Sequence, residues 1–89
     1  MRILAVDPGR DKCGLAVADE NGALLWRVIA TRAEVLATIE NAVAQWNVTQ
    51  LVVGDATASA AVCTELRARW PKMELAIVDE TDSTLEARA

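Results

Sequence analysis

The chain has no histidine, phenylalanine or tyrosine, and only two cysteines, two prolines and four glycines in 89 residues. Without histidine, Cys13 and Cys63 make a poor zinc site, because structural zinc takes four Cys or His ligands. Two cysteines are also too few for a disulfide framework, and both lie on apolar segments, where they read as buried thiols. Aromatic residues are confined to Trp26, Trp46 and Trp70. The apolar share of 53% therefore comes mostly from Ala, Val and Leu, and the core they build is modest in area. No apolar run approaches the roughly 20 residues of a membrane-spanning helix. No basic stretch leads into an apolar segment and a small-residue cleavage site, so a cytoplasmic protein is expected. Cations are not in surplus either. A net charge of −4 excludes indiscriminate binding to nucleic acid or anionic membranes, which works by phosphate neutralisation, but leaves room for a local basic patch.

What is present fits one domain with a thin core. Residues Arg2 to Asp7 read as a strand, Pro8 to Lys12 as a turn and Cys13 to Asp19 as a second strand. Asn21-Gly22 is a hairpin signal, since both positions tolerate positive φ, and Ala23 to Ala30 returns as a third strand. At Thr31 the period changes. Val35, Leu36, Ile39, Val43 and Trp46 recur at helical spacing, and Thr31 with Glu34 forms a capping box, so a helix is expected to end near Asn47. Gln50 to Asp55 is a short apolar run of the kind buried on both faces of a parallel sheet. A second helix is expected from Ala58 to Trp70, with Ala58, Val62, Leu66 and Trp70 in one row and Pro71 closing it. Glu74 to Asp79 is a fifth strand, and Ser83 with Glu86 forms a second capping box that starts a third helix near Thr84. The order β-β-β-α-β-α-β-α predicts a mixed α/β sheet, half antiparallel meander and half right-handed crossovers.

Three of these strands finish on carboxylates: Asp7, Asp55, and Asp79 with Glu80. Aligned in one sheet, their ends share the edge at which open α/β sheets bind ligands. Converging acids repel one another unless a cation or donor network compensates. An oxygen-only ligand set suits Mg²⁺ or Mn²⁺, and such ions suit phosphoryl chemistry. Any single strand-end Asp is equally a turn cap; the argument rests on three strand ends together.

The stretches "DPGRDKCGLAV" from Asp7, "LVVGD" from Leu51 and "VDETDSTLEAR" from Val78 resemble the opening, middle strand and D-E-x-x-[ST]-T-x-E-A-R block of the YqgF/RuvX family. The wording is closest to short cyanobacterial-type forms. The resemblance implies a ribonuclease H-like sheet of order 3-2-1-4-5 and Mg²⁺- or Mn²⁺-dependent cleavage of structured RNA or branched DNA. It also implies a role in 5′ maturation of the 16S ribosomal RNA precursor. Asp7 matches the family's first-strand catalytic acid and Glu80 its D-E glutamate, both implied metal ligands; Asp55 sits where related resolvases carry an acid. The family pattern continues to a later helix with a third acid, so a domain incomplete at its C-terminus and a weak metal site are expected. The sheet face that this helix would cover is expected to be open, which favours a homodimer through that face.

Arg10 and Lys12, next to Asp7, could hold a substrate phosphate or form a solvated basic turn. Arg88 resembles the family's arginine and could contact phosphate or pair with Glu86 or Asp82. Helix-dipole placement explains Arg67, Arg69 and Lys72, and the tryptophans read as packing residues. Two functions from different classes follow: a metal-dependent nuclease, or a non-catalytic nucleic-acid-binding or dimerising module of the same fold. An actin-like or sugar-kinase ATPase also places D-x-G after its first strand, but it needs a second lobe that 89 residues do not hold.

Overall fold

The computed structural model describes residues 1–55 and 58–78. The central strand β1 (Arg2–Asp7) pairs antiparallel with β2 (Lys12–Asp19) on one side and parallel with β4 (Gln50–Gly54) on the other. Outside these lie β3 (Leu24–Thr31) on β2 and β5 (Glu74–Val78) on β4, giving the expected order β3-β2-β1-β4-β5. The helices are α1 (Val35–Trp46) and α2 (Ser59–Arg69). The bounds of β1 to β4, of α2 and of the end of α1 fall within a residue of the sequence expectation, while α1 starts at Val35, later than a cap at Thr31 implies, and the expected strand end at Asp79 lies outside the described residues. The third helix from Thr84 and the Ser83–Glu86 box lie outside the described residues.

Strand alternation sorts the side chains. Leu4, Val6, Leu15, Val17, Leu51 and Val53 share one face through the registers Leu4↔Val17, Val6↔Leu15, Leu4↔Leu51 and Val6↔Val53. They form one buried cluster with Val35, Ile39 and Ala42 of α1 and Val62, Cys63 and Leu66 of α2. Both cysteines are buried free thiols, and the three tryptophans pack at the margin of this cluster. Both helices cover the same face because β3-α1-β4 and β4-α2-β5 step across the sheet in one direction, and right-handed crossovers then fall on one side.

This corrects the expectation for β4. Leu51 and Val53 are buried, but Gln50, Val52 and Gly54 are only half-buried, so one face of the strand is covered. The other sheet face carries Ile3, Ala5, Ala16, Ala18, Val52 and Ala76 in mutual register, with Ala5 exposed. No element among the described residues packs on it.

The connections obey local chemistry. Glu34 N–H donates to Thr31 Oγ1 at 3.3 Å, and the Thr31 hydroxyl donates to Glu34 Oε1 at 2.9 Å, so the expected box is a turn between β3 and α1, and Glu34 rather than Thr31 is the helix N-cap. Asn47 ends α1 in the left-handed region (φ 54°, ψ 50°), and Val48 N–H returns to Val43 O at 3.2 Å while its side chain enters the core. Arg2 lies over the Trp46 ring and donates to Trp46 O at 3.1 Å, which ties the end of α1 to the start of β1.

The β2–β3 hairpin departs from the expected pair of positive φ angles. Only Gly22 adopts one (+84°). Asn21 does not need it, because Asp19 Oδ1 accepts from the N–H groups of Asn21 (2.9 Å) and Ala23 (3.0 Å) and holds the turn from one side chain. Nothing lies within 4 Å of where a Gly22 Cβ would sit, so substitution there is opposed by φ alone. Gly22→Ala is therefore expected to lower stability by about 1 kcal/mol, read as a lower urea midpoint at unchanged m-value, with Gly22→Asn losing less.

Candidate active site at the sheet edge

β1 ends on an exposed carboxylate because the chain cannot continue straight. Pro8 is buried and Gly9 brings its backbone against the Lys12 carbonyl, where an added Cβ would lie 2.4 Å from the oxygen. That close approach, rather than a positive φ, is what requires glycine at position 9. The turn leaves Asp7 opposite Gly14, on the face shared with Ala5. A Cβ at Gly14 would make only ordinary contact with Asp7 Cβ at 3.6 Å, so glycine there keeps space beside the carboxylate without being sterically required.

The turn is fastened from three sides. Cys13 Sγ is 4.0 Å from Gly9 O, a long thiol-to-carbonyl contact beneath it. Lys12 already belongs to β2, paired with Thr31, and Arg32 N–H donates to Asp11 O at 2.8 Å. The Arg32 guanidinium donates to Glu65 Oε2 of α2 at 2.5 Å. That hydrogen bond, ahead of the Coulombic attraction, pushes the Arg32 pKa up despite partial desolvation. The pair is partly exposed, so its contribution to stability is roughly 0.2–1 kcal/mol, but it braces α2 against the β3–α1 connection. Sequence patterns give no signal for this brace, because its members are 33 residues apart.

Arg10 and Lys12 are exposed and make no ion pair among the described residues. Both lie within five residues of Asp7. Asp55, also exposed, follows β4 directly, and its N–H donates to Val78 O at 2.7 Å, extending the ladder to β5. The register Val6↔Val53 sets Asp7 level with Gly54, so Asp55 stands one residue further out on the neighbouring strand. The edge thus brings together Asp7, Asp55, Arg10 and Lys12. Asp79, Glu80 and Arg88 lie outside the described residues.

Among the described residues no three His, Cys, Asp or Glu side chains cluster as a metal site. The donors that are described, carboxylates on adjacent strand ends with no imidazole, fit a hard cation that keeps most of its waters and completes its shell with substrate phosphate. They do not fit zinc.

A family described as "RuvX: Holliday junction resolvase" matches residues 1–89. No curated protein matches the chain. Among solved structures, Pelota from Archaeoglobus fulgidus is 17% identical with a TM-score of 0.62, over 88% of this chain and 26% of that one. The ethanolamine utilization protein EutJ from Carboxydothermus hydrogenoformans is 17% identical with a TM-score of 0.59, over 100% of this chain and 40% of that one. At such identities the likeness concerns the fold alone, which is the ribonuclease H-like α/β fold. The chain spans well under half the length of either.

The two glycines of the edge are expected to separate on substitution. Gly9→Ala should cost about 2 kcal/mol and shift the amide resonances of the Asp7–Lys12 turn, as forced overpacking does. Gly14→Ala should stay within about 0.5 kcal/mol of the parent, since it meets only ordinary contacts. Equal melting curves for the two variants would show that the Lys12 carbonyl can move away at little cost.

Proposed function

The chain belongs to the RuvX family of Holliday junction resolvases, and from that membership we propose that it is a metal-dependent nuclease acting on structured nucleic acid at the edge that carries Asp7. The observation that carries this reading is the carboxylate of Asp7, exposed at the end of the central strand, kept open by the Pro8-Gly9 turn and flanked by Arg10 and Lys12, which make no ion pair among the described residues. Asp7 and Glu80 would hold Mg²⁺ or Mn²⁺, with Asp55 the further acid of the set. When bound, such an ion neutralises charge on the phosphate and lowers the pKa of its water.

The chain's own residues do the rest. Arg10 and Lys12 bind the phosphodiester backbone and offset the repulsion between substrate and acids. Arg88 adds a further phosphate contact. Asp7, paired with Gly14 of β2 and next to Val6, which β4 pairs as well, orients its carboxylate without having to be ordered on binding. Recognition depends on the shape of a branch or fold rather than on base sequence, because no element among the described residues stands clear of the sheet to enter a groove and read base edges. The ribosomal RNA precursor near the 5′ end of 16S and a four-way DNA junction are the two substrates of this class. The uncovered sheet face, with Ala5, Ala16 and Val52 at its middle, favours pairing of two copies.

The purified chain in Mn²⁺ is expected to cut one of these two substrates, and Asp7→Asn to lower the rate roughly 100-fold or more. Equal rates for parent and variant would remove Asp7 from the chemistry. Saturable binding of both substrates with no cleavage would instead favour a non-catalytic module of the same fold.

A further inference from the structure

The end of the sheet opposite Asp7 holds an open groove of about 460 Å³, lined by Thr49, Arg69, Trp70, Pro71, Lys72 and Met73. Thr49 precedes β4 and Met73 precedes β5, so the groove sits where these parallel strands begin, not where they end. We propose that it is a second nucleic-acid contact, which takes one nucleotide of a single strand, the base on the Arg69–Trp70 platform and the phosphate on Lys72. The proposal rests on the reading of this chain as a nucleic-acid-binding protein and adds a site remote from the catalytic edge.

Two kinds of chemistry meet in this groove. Trp70, Pro71 and Met73 supply apolar surface, and the Arg69 guanidinium lies 4.9 Å from the centroid of the Trp70 ring. Unstacked bases are held on aromatic rings and on guanidinium planes alike, so this stack offers two usable surfaces in one platform. Arg69 Nε also donates to Glu40 Oε2 at 2.6 Å, in a solvent-exposed ion pair. That pairing also takes up the Arg69 charge. Lys72 is then the lining cation without an ion pair among the described residues, and it is exposed, as a phosphate contact must be.

The platform is formed in advance. Trp70 N–H donates to Leu66 O at 2.8 Å and Met73 N–H to Trp70 O at 3.2 Å, which fixes the short α2–β5 connection around Pro71. An acidic peptide would satisfy Lys72 but leave the aromatic plane unused. Five residues of β4 separate the groove from the edge with Asp7, about 17 Å at 3.3 Å per residue, within reach of one strand that occupies both. Trp70 thereby gains a role besides packing, and Lys72 one besides helix-dipole placement.

The test uses fluorescein-labelled 12-mers of oligouridylate and oligodeoxythymidylate, followed by anisotropy, beside the cleavage assay. Lys72→Glu, an exposed position that leaves the fold intact, is expected to weaken 12-mer binding roughly tenfold and to reduce the salt dependence by about one phosphate contact. Trp70→Phe keeps the core filled and is expected to weaken binding less than Lys72→Glu. Unaltered affinity in Lys72→Glu, no 12-mer binding by the parent, or a change in dimerisation instead of binding would each overturn the groove. Cleavage with binding insensitive to Lys72→Glu removes the groove and keeps the nuclease. Binding sensitive to Lys72→Glu without any cleavage keeps the groove and removes the nuclease.

Discussion

Everything in this fold depends on β1 pairing in two modes at once. It pairs antiparallel with β2 from Arg2 to Asp7 and parallel with β4 from Ile3 to Val6. Its last residue therefore follows directly on a doubly paired stretch. Asp7 is held against Gly14 on one side and level with Gly54 on the other, and an exposed carboxylate acquires the positional certainty of a core residue. The Pro8-Gly9 turn, the brace from Arg32 to Glu65 and the ladder bond from Asp55 to Val78 all elaborate an edge that this double pairing has already fixed.

Much of this was written in the sequence, where local chemistry decided the outcome. The end of α1 at Asn47 and the Val62–Leu66 row act within one or two turns of chain and appear as expected, whereas the Thr31–Glu34 pair forms a turn ahead of α1, whose N-cap is Glu34. The misses came from competition. Asn21 stays out of the positive-φ region because Asp19 offers its backbone a simpler set of acceptors. The Leu51-Val52-Val53 run reads as buried on both faces, but burial of Val52 depends on what lies beyond the sheet, which no local pattern encodes. The Arg32–Glu65 brace and the Arg69–Glu40 pair join residues far apart in sequence and carried no signal. Of the candidate site, Asp7, Asp55, Arg10 and Lys12 can be placed; Glu80 and Arg88 fall outside the described residues.

The charge distribution follows the same division. An acidic chain has few cations to place, and four of its nine stand at the two ends of the parallel strands. Arg10 and Lys12 sit beside the acids at one end, and Arg69 and Lys72 beside Trp70 at the other. Between them the covered face is uniformly apolar, with Leu4, Val17 and Leu51 almost entirely shielded from water.

Thr49 donates through both its N–H and its hydroxyl to the carbonyl of Arg2, 47 residues away. That clasp marks where the chain must close a long loop before β4 has a partner. Closing about 47 residues costs on the order of 3 kcal/mol of chain entropy, whereas the β1–β2–β3 meander needs only short loops. The two halves of one continuous sheet therefore differ in the cost of their assembly: the antiparallel half is local, and the parallel half, on which β5 depends, must await a single long-range encounter.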